Sequence, residues 1–446
     1  MVGPYDSATT GNWSIAMVAL DCSHLETLVS EERVHRDVYL DADIFELEME
    51  RIFGQAWVYV GHESMVPNPG DYICAYIGSQ PIVLSRHASG KTHVLLNRCG
   101  HRGAKVLSED SGHSDRFRCC YHGWTYDTDG RLIAVPMNDL YPDDFDLDDP
   151  RYSMRNVAAV DSYRGFVFAR LSETGQSLTD HLGPARSLID ELVNRAPDGE
   201  VELVGGSLKY EIQGNWKLQV ENLADQYHVP FGHESTASRD GFQFQRRTGD
   251  AGTRAQIFST EGEPSMQQSG TWGYPNGHNA NGAMNFDGEQ EGDVWQEYKS
   301  RMIASYGEKK AAQNMHVRHH NALFYPNLDL HMLGQMVRVI RPISVNTTEV
   351  TIYPARLKGA PDEMFQDVVR LANMTHSATS LIQTDDVESF ERCQAGLHAE
   401  GEDWISFVRG IGMDNIEEDG LLYGPMTSEI GMRNQHRAWL GYMTTA

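Results

Sequence analysis

The sequence has 446 residues, of which 63 are acidic and 37 are Lys or Arg, for a formal net charge of −26. Such an acidic chain argues against nucleic acid as a partner, because phosphate binding requires clustered basic side chains. No apolar run approaches the ~20 residues that span a bilayer, and residues 1–12 lack the pattern of a signal peptide. We therefore expect a cytoplasmic protein with no membrane partner, and its length predicts two domains.

In chain order, the first predicted elements are short β-strands. Runs of β-branched and aromatic residues at 57–60, 72–77, 81–84 and 93–96 alternate with turns rich in Gly and Pro. A hairpin turn is predicted at 126–132. An acidic linker at 139–149 is followed by one more strand at 162–169. This part of the chain predicts a small all-β domain.

From about residue 180 the pattern changes to mixed helices and strands. We expect helices at 182–195, 216–228 and 363–384, and strands at 209–212, 337–342 and 349–353. Residues 262–292 are rich in Gly, Asn, Ser and Gln without a clear period, which predicts a long surface loop. The fold class predicted for the whole chain is α+β, with the all-β domain preceding a larger mixed domain.

Two short motifs combine cysteine with histidine. Cys99-x-His101 and Cys119-x-x-His122 each offer one thiolate and one imidazole. Zn²⁺ and a Rieske 2Fe–2S cluster both accept two sulfurs and two nitrogens. The mixing of Cys with His in each half favours the two-iron cluster, because zinc sites usually pair Cys with Cys. Cys120 is interpreted as a small buried hydrophobic residue and not as a ligand.

These stretches resemble the Rieske motif of ring-hydroxylating oxygenase α subunits, including the Tyr-His-Gly-Trp run at 121–124. The resemblance implies an all-β Rieske 2Fe–2S domain at 41–170. It also implies a helix-grip catalytic domain, an antiparallel sheet with long helices, formed by 1–40 and 171–446. The four cluster ligands implied are Cys99, His101, Cys119 and His122. A Rieske cluster transfers one electron at a time, so a second site must activate oxygen.

His228 and His233 are the candidates for that second site. Non-heme Fe(II) that binds O2 favours two histidines and one carboxylate. Five residues turn a regular helix by about 140°, so the helix must break between the two histidines. Pro230 and Gly232 lie in that gap and supply the break. Asp225, three residues before His228, is predicted on the same helix face.

The run 225–233 resembles the D-x-x-H-x4-H motif of the same family. The resemblance implies that Asp225 bridges an iron-bound histidine and a Rieske histidine of the neighbouring subunit, which we expect to be His122. A role for Asp225 as a plain surface carboxylate stays open. The resemblance also implies that Asn222 is a polar neighbour of the iron.

The third iron ligand is expected in the segment 383–391, which is predicted to end the long helix. This segment resembles the carboxylate segment of the family, and the resemblance assigns the ligand to Asp386, with Asp385 as the alternative. Both could instead be solvated charges at a helix end. His319 and His320 are interpreted as ordinary histidines, because two ligand sets are already complete.

Together the two sites predict an oxygenase that uses O2 to hydroxylate an aromatic ring, with a cis-diol as the expected product. No G-x-G-x-x-G motif follows a strand, so electrons must come from a partner reductase, directly or through a ferredoxin, with NAD(P)H as the ultimate donor. The resemblance implies a homotrimer of this chain, with a small β subunit (α3β3). The alternatives are a Rieske monooxygenase (hydroxylase or demethylase), an electron-transfer Rieske protein and a zinc-binding structural protein.

The substrate pocket is expected between the helix at 220–231 and strands at 323–333 and 336–340, which are mainly apolar and suit a planar aromatic ring. Arg338 or Arg341 could pair with a substrate carboxylate. The competing interpretation, which we rank higher from sequence, places these arginines at solvent or a subunit interface. Residues 215–233 resemble the benzoate, salicylate and terephthalate branch more than the biphenyl branch, which favours an aromatic acid.

Overall fold

The computed structural model describes residues 22–234, 270–282, 292–380, 382–416 and 420–445. Among these residues, three small antiparallel sheets come first along the chain, and one large antiparallel sheet with helices on both sides follows. The architecture is α+β, as predicted. No helix in the described parts of the chain is long and apolar enough to cross a membrane.

The helices are numbered here in chain order. Their bounds are α1 Cys22–Thr27, α2 Asp37–Leu40, α3 Ala42–Arg51, α4 Leu178–Leu182, α5 Arg186–Val193, α6 Trp216–Ala224, α7 Val229–Gly232, α8 Asp293–Tyr306, α9 Glu308–Met315, α10 Asp362–His376, α11 Gln383–Leu397 and α12 Ile430–Thr444.

The strands of the first part are short, as the sequence pattern indicates. They are β1 Arg33–His35, β2 Val58–His62, β3 Asp71–Ile77, β4 Gln80–Arg86, β5 Thr92–Leu96, β6 Ser111–His113, β7 Phe117–Arg118, β8 Thr125–Tyr126, β9 Leu132–Ala134, β10 Ala159–Tyr163 and β11 Phe166–Arg170. Their sheet orders are β5-β4-β3-β6, β7-β8-β9 and β10-β11-β2. β1 leaves this part and pairs with a strand near the C-terminus.

The second part is built on a ten-stranded sheet with the order β12-β19-β18-β17-β16-β15-β14-β22-β21 and with β13 also paired to β19. Its strands, with the partner of β1 included, are β12 Val201–Leu203, β13 Leu208–Ile212, β14 Gly270–Gly273, β15 Asn279–Gly282, β16 His319–Phe324, β17 Leu328–His331, β18 Met336–Ser344, β19 Thr347–Leu357, β20 Trp404–Ser406, β21 Asn415–Ile416 and β22 Leu422–Pro425.

The large sheet buries both of its faces, against different helices. On one side, apolar residues of β16 to β19 pack in one cluster with residues of α5, α8 and α9. On the other side, β13, β18 and β19 pack with Ala372 of α10 and Phe390 of α11. Helix α6 contacts β16 and β18. The candidate iron ligands lie on α11 and in the segment that follows α6, so these contacts fix their position.

A buried carboxylate in helix α3 holds this helix to the second part of the chain. Glu48 is fully buried, and its oxygens accept hydrogen bonds from Lys217 Nζ at 2.5 Å and from the indole nitrogens of Trp216 and Trp439 at 2.8 and 2.6 Å. Burial lowers the pKa of Lys217, and the charge of Glu48 opposes that shift. A buried charge is tolerated only when it is paired and hydrogen-bonded, as here. These bonds anchor the start of α6.

The structure corrects the helix predicted at 363–384 and the loop predicted at 262–292. The helix predicted at 363–384 is two helices, α10 and α11, and the Ser380 hydroxyl accepts the N–H of Gln383 at 3.0 Å where the second one begins. The loop predicted at 262–292 contains two buried strands, β14 and β15, within residues 270–282. Sheet pairing on both sides overrides the weak strand propensity of Gly and Asn there. The rest of that predicted loop, apart from Gly292, lies outside the described residues.

Candidate metal sites and active site

Two loops with the same backbone hydrogen bonds carry the Cys and His residues of the first site. In each loop the N–H of the cysteine, Cys99 or Cys119, donates at 2.8 Å to the carbonyl oxygen five residues later. The cysteine carbonyl accepts at 3.0 Å from the N–H of Gly103 or Gly123, four residues later. These glycines have φ of +74° and +72°, a conformation that favours glycine. The two glycines therefore let both turns close tightly.

The cysteines point inward and the imidazoles lie toward the surface. Cys99 and Cys119 are 3% and 2% exposed, whereas His101 is half-buried and His122 is exposed. The centroids of the two imidazole rings are 4.6 Å apart. The prediction of a buried Cys120 is wrong: the turn that buries Cys119 leaves the next side chain exposed.

This donor set fits a two-iron cluster better than one zinc ion. Donors around a single zinc ion lie within about 4 Å of one another. Among the described residues, no three donors of these loops come within 4.8 Å of one another. The Nδ1 atom of His101 is buried with no hydrogen-bond partner in the described part of the chain, as a metal-binding atom would be. Burial raises the pKa of the Cys119 thiol, so a bound cation is needed to keep it a thiolate.

The second site begins where helix α6 ends, earlier than the predicted helix 216–228. Asp225 follows the helix with extended backbone, at φ −94° and ψ 119°, and its carboxylate accepts the N–H of Tyr227 at 2.6 Å. Pro230 lies in the first turn of α7, where a missing N–H costs no helix hydrogen bond. The helix therefore breaks before His228 and not after it. A turn, and not a shared helix face, brings Asp225 to His228.

Two imidazole nitrogens converge on one carboxylate oxygen. The Nε2 atoms of His228 and His233 lie 3.5 and 3.3 Å from Oδ1 of Asp386. These three residues are the one group of three possible metal ligands, among the described residues, whose ligand atoms lie within 4.8 Å of one another. Two imidazoles and a carboxylate are the donor set that non-heme Fe(II) prefers when it leaves positions open for O2. The donor set therefore fits the metal that the resemblance implies.

The other ring nitrogen of each histidine faces a second carboxylate. Nδ1 of His228 lies 3.4 Å from Asp225 without forming a hydrogen bond, whereas Nδ1 of His233 forms one with Asp385 at 3.3 Å. Burial lowers the pKa of His233, but the bonds to Asp386 and Asp385 outweigh it and raise that pKa. Carboxylates placed behind ligating histidines orient the rings and raise their basicity. The structure thus puts Asp386 between the histidines and Asp385 outside them.

Asn222 lies inside the second site. Its Nδ2 donates to Oδ1 of Asp386 at 3.1 Å and lies 3.3 Å from Nε2 of His228. The asparagine reaches this position because it is in the last turn of α6. It is therefore a polar neighbour of the carboxylate and of one imidazole, close to where the sequence interpretation expected it.

Several polar residues beside this site were not singled out from the sequence. Gln226 Nε2 lies 3.3 Å from Nδ1 of His320, and Nε2 of His320 lies 3.1 Å from Nε2 of His331. The rings of His331 and His376 are 5.0 Å apart. The interpretation of His320 as an ordinary histidine missed this buried chain. No local motif marks these residues, because they come from four separate places in the chain: the segment after α6, β16, β17 and α10.

The two arginines of β18 point to opposite faces of the sheet. Arg338 is 5% exposed and lies 3.8 Å from Asp329, its partner on β17. Arg341 lies over the ring of Tyr76, 3.2 Å from the centroid, and 3.4 Å from Glu349. Arg341 thus packs against the first part of the chain. The sequence interpretation that placed both at solvent or at a subunit interface does not describe Arg338, which is internal.

Comparison with known proteins gives matches in both parts of the chain. The model of the Rieske 2Fe–2S domain matches residues 56–143, and the model of the ring hydroxylating alpha subunit, catalytic domain, matches residues 201–445. The chain is 34% identical over 446 residues to toluate 1,2-dioxygenase subunit alpha of Pseudomonas putida, covering 96% of each protein. It is 31% identical to 2-halobenzoate 1,2-dioxygenase large subunit of Burkholderia cepacia, covering 97% of this chain and 94% of that one.

Among solved structures, naphthalene 1,2-dioxygenase with indole bound in the active site is similar at a TM-score of 0.80 and 25% identity, with 94% of both chains covered. The chain therefore belongs to the family of ring-hydroxylating oxygenase alpha subunits. It is an oxidoreductase that incorporates O2 into aromatic rings, and its cofactors are a Rieske 2Fe–2S cluster and a mononuclear non-heme iron. The predicted fold class and the predicted cofactors are confirmed.

Proposed function

We propose that this chain is the terminal oxygenase component of a multicomponent system and that it converts an aromatic carboxylic acid to a cis-diol. The observation that carries the proposal is the convergence of His228 and His233 on Asp386, in a chain that also has the Cys–His loops. Cis-dihydroxylation consumes O2, two electrons and two protons. A one-electron carrier beside an iron with open positions suits that demand, and a partner reductase supplies the electrons.

We assign Cys99, His101, Cys119 and His122 to the cluster, and His228, His233 and Asp386 to the iron. When bound, the iron supplies the oxygen-activating centre. The protein then has to hold the imidazole rings. Asp225 and Asp385 do this from the Nδ1 side, and the amide of Asn222 holds the carboxylate of Asp386. Asp385, the alternative ligand from sequence, is thus assigned a positioning role.

We propose a homotrimer in which the two Cys–His loops of one chain meet the iron site of the next. Exposed apolar side chains lie beside each of these two sites. Near His122, Tyr121, Met137 and Leu140 are 61%, 81% and 85% exposed. Tyr227 and Phe231, which flank His228, are 42% and 68% exposed. Contiguous exposed apolar side chains mark interaction surfaces, and two different faces that pair head to tail can close into a ring. Asp225 would then bridge to His122 of the next chain.

The domain limits 41–170, and 1–40 with 171–446, stay a prediction, as do the small β subunit, a ferredoxin and the cytoplasmic location. Helix α3 lies within the predicted Rieske limits, although Glu48 bonds to the catalytic part. An assembly of three copies of this chain with three small β subunits can be tested by co-expression with a candidate β subunit, followed by mass measurement of the complex.

The proposed substrate class rests on the similarity to toluate and 2-halobenzoate dioxygenases, which are named for aromatic acids. The test is turnover of benzoate by the purified holoenzyme with a surrogate reductase, NADH and O2. We expect a cis-diol carboxylate as the product, with both hydroxyl oxygen atoms derived from ¹⁸O2. A phenol carrying one labelled oxygen would show monooxygenation instead, and oxidation of neutral aromatics alone would contradict the acid substrate.

A further inference from the structure

Buried polar residues line one face of the central strands of the large sheet. Residues directly opposite each other on neighbouring strands share a face, and Asp329 is opposite Arg338 while His331 is opposite Asn321. All four are less than 10% exposed. The alternate positions on the same strands point to the other face, where they form an apolar cluster. A polar lining on one face alone indicates a function, because burying polar groups costs free energy.

This polar face lies beside the proposed iron ligands. The β-bulge next to His320 lets that residue contact Gln226, which is two residues from the ligand His228, and also His331 on the sheet. Met336, which is opposite His331, packs in one cluster with Phe390 of α11, the helix that carries Asp386. Arg338 lies on the same face as Met336 and His331, and therefore on the side of the sheet toward the proposed iron ligands.

The guanidinium of Arg338 lacks a full set of partners. Its ion pair to Asp329 spans 3.8 Å, which is too long for a hydrogen bond. Its Nε atom has no hydrogen-bond partner among the described residues. The hydroxyl of buried Tyr210 has none there either. Tyr210 lies on the same face of the sheet as Arg338, because it is opposite Val350, which is opposite Ile340. Burial raises the pKa of the Asp329 carboxyl to about 7, although the charge of Arg338 opposes this. The long ion pair and the unpartnered Nε leave the guanidinium able to bind a further anion.

We propose that Arg338 binds the carboxylate of the substrate, with the Tyr210 hydroxyl as a further donor. A guanidinium matches a carboxylate through two parallel N–H bonds and so fixes the orientation of the attached ring. It would thus set which ring carbons face the iron. Arg341 is not in this position, because it is turned to Tyr76 and Glu349. The inference rests on the proposed function, since it requires an acidic aromatic substrate.

The test measures binding without turnover. Benzoate and its neutral isostere benzamide are titrated calorimetrically into the holoenzyme without reductase and without O2. We expect Arg338→Met to weaken benzoate binding roughly 10- to 100-fold, as loss of a charge-assisted hydrogen bond does. Benzamide should lose clearly less affinity than benzoate, since its carbonyl can accept a hydrogen bond from the guanidinium but has no charge to pair. Arg341→Met is the matched control, and it should leave both affinities unchanged.

The visible spectrum of the cluster and the iron content show whether Arg338→Met is folded. If it is not, two further variants still test the inference. Arg338→Lys should retain part of the benzoate affinity. Asp329→Asn should bind benzoate as tightly as the wild type or more tightly, because a competing anion is removed. Weaker benzoate binding by a folded Asp329→Asn variant would overturn the inference.

The outcomes also separate this inference from the proposed function. If the wild type binds benzoate and converts it to a cis-diol while Arg338→Met binds it equally well, the role of Arg338 is overturned and the proposed function stands. If the wild type binds benzamide but not benzoate, the acid substrate and the role of Arg338 are both overturned. A selective loss of benzoate affinity in Arg338→Met supports the inference.

Discussion

The two metal sites of this protein are built in opposite ways. The first lies in two short loops with identical backbone bonds, and its four candidate ligands fall within residues 99–122. The second joins the segment after α6 to the first turn of α11, so that Asn222 and Asp386 meet across 164 residues. One site is a local structure with its imidazoles toward solvent. The other exists only when the large sheet and its helices have packed. The difference predicts that the two sites fail independently.

The strongest test of that independence removes one ligand from each site. Asp386→Ala should abolish product formation and iron binding, because two imidazoles alone hold Fe(II) weakly, while the visible spectrum of the cluster persists. Cys119→Ser should also abolish product formation, but it should remove the cluster and leave the mononuclear iron. Iron and acid-labile sulfide analysis of both variants is the measurement. Loss of both metals in either variant would contradict the independence of the sites.

The next test concerns the bridge between the sites. Asp225→Asn should lower the rate of product formation roughly 10- to 100-fold, the range for carboxylates behind a metal-binding histidine. Both metals should stay bound, since Asp225 is assigned to neither. Single-turnover assays with a pre-reduced cluster measure the effect. Unimpaired turnover in a variant with both metals would show that Asp225 is a plain surface carboxylate.

A pH test compares the stability of the two regions. Burial lowers the pKa of His62 on β2 and of His278, just before β15, to about 4. The unfolded state therefore binds more protons between pH 4 and about 6.5, and stability falls as pH falls through this range. Each of these two histidines should contribute a loss of about 2 kcal/mol of unfolding free energy between pH 7 and 5. Urea unfolding at both pH values measures this, and His278→Gln should reduce the pH dependence of the second region by about that amount and leave the first region unchanged.

The smallest expected effect is that of the outer carboxylate of the iron site. Asp385→Asn should lower iron affinity about tenfold or less, at the low end of the range for groups that orient a ligand. The amide can still accept a hydrogen bond from Nδ1 of His233. Iron titration of the apoprotein measures the change. If Asp385→Asn removed iron and Asp386→Asn did not, the assignment of the two carboxylates would be reversed.

Much of the first site could be predicted from sequence, and less of the second. Cys99 lies close in sequence to His101, and Cys119 lies close to His122, in turns that glycine permits. The spacing within each pair is therefore enough to predict that its donors lie close together. In that site the structure contradicts the expected burial of Cys120. In the second site, Pro230 indicated a break in the helix, but the break lies before His228. The backbone after Ala224 depends on tertiary contacts that no local pattern encodes.

The sequence by itself predicted the donor sets: two cysteines and two histidines for a cluster, and two histidines with a nearby carboxylate for an iron. Tertiary structure alone decided which carboxylate faces both imidazoles, because Asp385 and Asp386 differ only by a rotation about α11. It also decided that Arg338 points inward and Arg341 does not. Side chains alternate along a strand, and only the packing of the sheet against its helices determines which face is toward the iron site.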